Sequence, residues 1–199
     1  MHPYRTFVLM IVTASVLMFG LMYLNTYQLD HVWFSQTRLF MTMIMAGAMT
    51  LVMLFFMRHM YRNRTANVAL VVAGVALLAG GLWLVRSQAT VGQVAWMKAM
   101  IPHHSIAILT SERAGIEDVR VRELADGITA AQRKEIKEMD WLVQDIEENG
   151  PATTKEEADA RPVPDFQGSA SSLPDAQWSA REFLRALLAL PLPKELGQQ

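Results

Sequence analysis

Three uncharged apolar runs, at 7–24, 39–57 and 66–85, occupy most of the first 86 residues and leave this part of the chain few ways to fold. Their lengths are 18, 19 and 20 residues. At about 1.5 Å of helical rise per residue, each reaches roughly the ~30 Å of a bilayer's hydrocarbon core. A backbone surrounded by lipid must satisfy its own hydrogen bonds, which a helix does. Asn25 and Tyr27 follow the first run where a cleaved leader would carry small residues, so this run reads as a retained span. The sequence therefore predicts three transmembrane helices over 1–86, with the lipid bilayer as an obligatory partner.

Loop charge sets the orientation. Arg58, Arg62 and Arg64 separate the second and third runs, while the loop at 25–38 carries only Asp30 and Arg38. Cytoplasmic loops collect arginine and lysine. The N-terminus with Arg5 is thus expected in the cytoplasm, and everything after Arg86 on the outer side of the membrane. The second run and its exit hold Met41, Met43, Met45, Met49, Met53, Met57 and Met60. Flexible thioethers suit helix contacts in lipid, so these read first as packing, with a soft-cation ladder as the alternative. No charge lies inside the runs, which argues against a proton or ion path of the usual kind.

Beyond Arg86 the pattern becomes amphipathic, and the expected fold class is all-α throughout. Thr90 and Gln93 fit a capping box for a helix running to about Ala114, with Gly115 beyond it. Pro102 removes one backbone hydrogen bond inside it, so a bend is expected before His103 and His104. Asp118 caps a second helix that runs to about Glu148, with an apolar face including Val121, Leu124, Ala125, Ile128, Ile136, Met139 and Val143. Residues 87–150 thus form a helical hairpin. Two helices totalling fewer than about 60 residues bury little surface alone, so a homodimer that pairs two hairpins into a four-helix bundle is expected, with packing of a monomer against the C-terminal helix as the alternative. A mobile linker at 151–174, an amphipathic helix at 175–190 and a tail at 191–199 complete the chain.

The residues that carry chemistry cluster in this hairpin. Between positions 97 and 104 stand Met97, Met100, His103 and His104, in a chain with only five histidines and no cysteine. Without thiolates a soft-metal site must use thioether and imidazole. On the facing helix Gln132 and Glu135 interrupt the apolar face, and Met139 follows one turn later. Polar groups on a buried face need partners. Two readings follow: these seven side chains hold a metal ion, with Gln132 and Glu135 as ligands or orienting groups, or they form a hydrogen-bonded polar layer that sets hairpin register. Catalysis has little support. No Glu-x-x-His di-iron motif occurs, and Ser105 and Ser111 lack the Gly-flanked turn of a nucleophilic serine. A net charge of -1 with interspersed basic residues gives no footprint for nucleic acid.

The segment from Met100 through Pro102, His103, His104 and Ser105 to Ile108, followed by Gln132, Glu135, Ile136 and Met139, resembles the bacterial domain of unknown function 305 family of the ferritin-like superfamily. The resemblance covers roughly 89–149. It implies an exported or membrane-anchored helical bundle, in a family whose Met- and His-rich members are connected with copper binding and tolerance. Thr110 departs from that pattern, which commonly has a methionine seven positions after the first histidine. The expected function is therefore a membrane-anchored envelope protein that sequesters or hands on copper through His103, His104, Met97, Met100, Glu135, Met139 and Gln132. The alternative is a non-enzymatic interaction module that dimerises through the bundle.

Overall fold

The computed structural model describes residues 3–169, and every regular element among them is helical: α1 (Pro3–Leu21), α2 (Gln36–Phe56), α3 (Arg64–Ser87), α4 (Gln93–Arg113), α5 (Val119–Asn149) and α6 (Lys155–Ala160). The first three are long and apolar enough to cross a membrane. Their ends differ from the apolar runs by a few residues because caps, not hydropathy, set them. Ser35 accepts a hydrogen bond from the Arg38 amide and starts α2, and Asn63 does the same for Ala66 at the start of α3. Pro3 lies within the first turn of α1, where its missing N–H costs nothing.

Small residues bring α2 and α3 together. A Cβ at Gly47 would lie 2.5 Å from the Gly74 carbonyl oxygen and 2.7 Å from the Leu78 amide nitrogen. Gly81 approaches the backbone of Phe40 and Ile44 in the same way, whereas Gly80 meets nothing. Between helices that lie in lipid there is little hydrophobic drive, and close contact of this kind is what holds such helices together. Phe7 and Ile11 of α1 pack against Ala46 and Leu54 of α2 and Tyr61 beyond it. Met49, Met53 and Met57 fill the space around this contact. The Tyr4 hydroxyl donates to Asn67 Oδ1 at 2.9 Å and accepts from the Asn63 amide at 2.9 Å, tying the start of α1 to the loop before α3.

The expected capping box at Thr90 does not form. Gln88 takes a left-handed conformation (φ 52°) and its carbonyl accepts from Val91, so Thr90 is used up in a turn. α4 starts instead at Gly92, without a side-chain cap, and continues through the buried Pro102 to Arg113. It stops at Ala114 in an extended conformation, so Gly115 is not needed as a left-handed cap. Asp118 caps α5 as expected, and Gly150 at φ 79° ends it.

α4 and α5 lie antiparallel. Lys98 pairs with Glu147 at 2.5 Å near one end, and Arg122 donates to the Ser111 carbonyl near the other. Their shared core is Met97, Ile101, Ile108, Ile136, Met139 and Val143. The buried line of α5 runs through Ala125, Thr129, Ile136, Met139 and Val143. Three residues assigned to it from the sequence, Val121, Leu124 and Ile128, are 48%, 64% and 40% exposed. α4 lies across the Thr129 side of α5, and no other described element covers the row through Leu124 and Ile128.

The opposite flank is covered by the loop between α1 and α2. The Tyr27 amide donates to Ser105 Oγ at 2.7 Å, and His31 Nδ1 lies 2.9 Å from the same oxygen. Ser105 is fully buried. Trp33 packs on the hairpin core, with Lys98 Nζ 5.1 Å from its ring centroid. Beyond α5, part of the expected linker is ordered. α6 begins with a complete capping box between Thr154 and Glu157, and Arg161 holds Asp145 through two hydrogen bonds of 2.8 and 2.9 Å. Lys137 then binds the Gln167 carbonyl at 3.0 Å. The expected helix at 175–190 and the tail at 191–199 lie outside the described residues.

Gly47→Leu is expected to separate α2 from α3, at a cost of about 1–3 kcal/mol or more from overpacking, read as lower resistance to unfolding in mixed micelles. Ser105→Ala leaves the buried Tyr27 N–H without an acceptor, which costs about 1–3 kcal/mol. Hydrogen exchange at the Tyr27 amide should speed up accordingly; unchanged exchange would show that Ser105 does not hold the loop.

Candidate metal centre

Three of the polar side chains singled out from the sequence, His104, Gln132 and Glu135, meet across the α4–α5 contact. His104 Nδ1 lies 3.1 Å from Glu135 Oε2. The His104 side chain is 13% exposed and that of Glu135 46% exposed, so the pair sits at the lip of the hairpin interface. Gln132 Nε2 donates to the same Glu135 oxygen at 3.4 Å, a weak bond that steadies the carboxylate from one turn away. His104 Nδ1 is buried, and despite its nearness to Glu135 it makes no aligned hydrogen bond. Burial lowers the His104 pKa below the usual imidazole value; the Glu135 carboxylate opposes this and His103 adds to it. At neutral pH His104 is therefore neutral and keeps a lone pair.

Helical spacing places two methionines beside this pair. Met100 precedes His104 by one turn on α4, and Met139 follows Glu135 by one turn on α5. Because the helices are antiparallel, both displacements point toward the same end of the hairpin, about 6 Å along the axis. A layer of Met100 and Met139 thus lies next to the layer of His104 and Glu135. Met139 is 6% exposed, and Met100 packs against the same cluster.

Met97 and His103 are placed elsewhere. Met97 lies two turns, about 10 Å of helical rise, before His104 and is buried among Ile101 and Val143. His103 is exposed, with its ring centroid 6.3 Å from that of His104. Adjacent helical positions diverge by about 100°, and Pro102 does not bring the two rings onto one point. Thr110 turns its hydroxyl back to the Ile106 and Ala107 carbonyls on the outer face of α4, well away from Glu135.

Among the described residues no group of three or more His, Asp or Glu side chains gathers. One imidazole and one carboxylate converge, with two thioethers in the next layer and an amide behind the carboxylate. This donor set fits a borderline or soft cation of the copper type better than a hard one, because oxygen supplies a minority of the atoms. The unaligned contact between His104 and Glu135 is itself one that a cation bound to both would relieve.

Ser105 and the outer loop were not foreseen as a unit. Ser105 is no exposed nucleophile; its oxygen accepts from Tyr27 and faces His31. Burial lowers the His31 pKa, against the opposing charges of Asp30 and Asp140. Tyr27, His31, Arg133 and Lys137 border a cleft of about 250 Å³ on this flank. A loop that mixes Tyr27, His31 and Trp33 among its polar residues was the available signal that it docks rather than dangles.

Comparison with known proteins adds two findings. Residues 93–186 match the family described as domain of unknown function (DUF305). The uncharacterised protein L153 of Acanthamoeba polyphaga mimivirus is 28% identical over 109 residues, which cover 53% of this chain and 69% of that protein. No solved structure matches. The part of the chain that holds the His104–Glu135 contact is therefore the part that is similar to the domain of unknown function 305 family, over residues 93–186.

Proposed function

We infer that this protein is a membrane-anchored, metal-handling protein of the cell envelope, and that its cargo is copper. The observation that carries this reading is the contact between His104 Nδ1 and Glu135 Oε2, 3.1 Å apart, unaligned for hydrogen bonding and flanked by Met100 and Met139. A neutral imidazole and a thioether layer suit copper in its reduced state, and the carboxylate makes the oxidised state acceptable. Such a set can hold the ion without demanding one redox state. The arginines of the 58–64 loop favour a cytoplasmic position for that loop and for the start of α1, which Tyr4 ties to it. The hairpin then faces the periplasm or the exterior of a bacterial inner membrane, where an ion can be sequestered or passed on.

A second reading, an interaction module in which the polar pair sets helix register, is favoured by the same contact. Against it, register is already fixed without His104. Lys98 and Glu147 hold one end of the hairpin, and Arg133 and Glu112, with side chains 14% and 17% exposed, hold the other. A partly exposed His–Glu pair adds little to these. Glu135 would be a poor choice for a register device, since nearly half of its side chain meets solvent.

Full-length protein in detergent, loaded with Cu(II) and dialysed, is expected to retain copper. His104→Ala and Glu135→Ala should each reduce retention sharply, and His103→Ala much less. Equal, negligible retention in wild type and in the His103→Ala/His104→Ala double variant would reject the metal reading, and a changed oligomeric state in that variant would favour the module. In the metal-free protein, NMR titration should place the His104 pKa below the ordinary value of about 6.5, and lower still in Glu135→Gln. A depressed imidazole pKa contributes stability that is present above the unfolded value and is lost as pH falls through the folded one. Acidification below about pH 6.5 should therefore loosen the hairpin, and His104→Gln should flatten that dependence.

A further inference from the structure

α1 buries only Phe7 and Ile11, and both belong to its contact with α2. From Ile11 onward a groove of about 360 Å³ separates the two helices, with Val12, Val16 and Phe19 on one wall, Leu39 and Met43 on the other, and Leu77 of α3 also lining it. It follows α1 for eight residues, about 12 Å. Ser15 and Thr42 are its polar side chains, and their hydroxyl protons are spent on their own helices. Ser15 Oγ donates to the Ile11 carbonyl at 2.8 Å, and Thr42 Oγ1 donates to the Arg38 carbonyl at 2.9 Å. The walls therefore suit hydrocarbon.

One end of the groove carries a charge. Phe19 meets Tyr23 edge-on with ring centroids 5.5 Å apart, and the Arg38 guanidinium lies over the Tyr23 ring, 4.1 Å from its centroid. Arg38 directly precedes Leu39, where the apolar run of α2 begins. Among the described residues no carboxylate pairs with it, and its Nη1 is buried without a hydrogen-bond partner. The side chain as a whole is only half-buried, so its planar fork can be reached from outside the protein. Such a fork matches phosphate oxygens two at a time.

We propose that the groove holds an acyl chain of a membrane phospholipid and that Arg38 binds the phosphate of its anionic headgroup. This rests on α1, α2 and α3 crossing a bilayer, which their length and composition allow, and not on the metal reading. A free phosphate ion has no use for the groove, and a neutral diacylglycerol has none for Arg38. The rest of the chain competes poorly for the place. Residues 170–199 mix Asp175, Arg181, Glu182 and Arg185 into their apolar stretch, and charges at membrane depth are costly.

The lipid stands at the root of the contact between the spans and the hairpin. Tyr23 Oη accepts from the Ser35 amide at 3.0 Å, and the loop that these two residues close docks on Ser105. A filled groove lets α1 lean away from α2 without a void.

The test uses the full chain purified from a membrane in mild detergent. Dioleoyl phosphatidylglycerol is the probe, set against dioleoyl phosphatidylcholine, dioleoylglycerol and inorganic phosphate. Native mass spectrometry should show one retained phosphatidylglycerol per chain, phosphatidylcholine held more weakly, and neither of the other two held comparably. Arg38→Gln should weaken phosphatidylglycerol retention by about 5-fold or more, the worth of one basic group at an anionic headgroup. Val16→Trp, at a position 68% exposed, fills the groove; with helix content unchanged by circular dichroism, it should lower retention of both phospholipids. A phosphatidylglycerol with a diazirine in its acyl chain should label residues 12–19 and 39–46 above all others. Equal retention of all three lipids with no effect of either variant would overturn the site. So would label spread evenly over the apolar faces of α1, α2 and α3, or a groove that takes no label because another part of this chain or a second copy fills it. Protein that stays in solution without detergent would instead overturn the membrane reading, and the lipid site with it.

Discussion

A buried hydroxyl, together with Trp33 packed on the hairpin core, ties the two halves of this protein together. Ser105 Oγ receives the Tyr27 amide and lies against His31 Nδ1, so the loop that joins the first two spans is bound to the middle of α4. An unsatisfied amide in that position would cost about 1–3 kcal/mol, comparable to a large part of what a short hairpin gains from its core. The consequence is directional. Because the loop takes the Ser105 side of the hairpin, the side that presents Glu135, Leu124 and Ile128 is the more exposed one among the described residues.

The candidate site sits on this asymmetry. One residue earlier on the same helix, His104 points to the other flank and meets Glu135 at the lip of the interface. The two neighbouring residues therefore do different work: Ser105 binds the loop between α1 and α2, and His104 turns to Glu135 of α5. The thioethers of Met100 and Met139 come from the same helical repeat that builds the apolar core. A metal reading and a packing reading thus draw on the same residues, and the difference between them rests on His104 and Glu135, whose contact the core does not require.

In the membrane part, packing follows backbone approach more than side-chain volume. Gly47 lets α3 come so near that an added Cβ would collide with the Gly74 carbonyl region. α1 is held differently, by Phe7 and Tyr4 against Tyr61 and by methionines that adapt to the gap. The Met-rich series in α2 thereby has a sufficient packing role at Met49, Met53 and Met57. Its regular spacing is what a helix-to-helix seam demands.

The three spans and the helical hairpin were legible from the chain alone, because hydropathy over 18–20 residues and the 3.6-residue period are local properties. So were His104, Gln132, Glu135, Met100 and Met139 as a set, since polar or thioether groups at helical spacing on two facing helices must meet at some height. Gly47, the docked loop and the ordered stretch around α6 were not, as each depends on what approaches from a distant part of the chain. Nor could periodicity separate Thr129, which is buried, from Ile128, which is not. Sequence fixes which residues share a helical face, but the angle at which α4 crosses α5, and the flank that the Tyr27 loop happens to cover, select the part of that face that becomes core. Only tertiary packing could divide His103 from His104 and leave one imidazole, rather than two, beside the carboxylate.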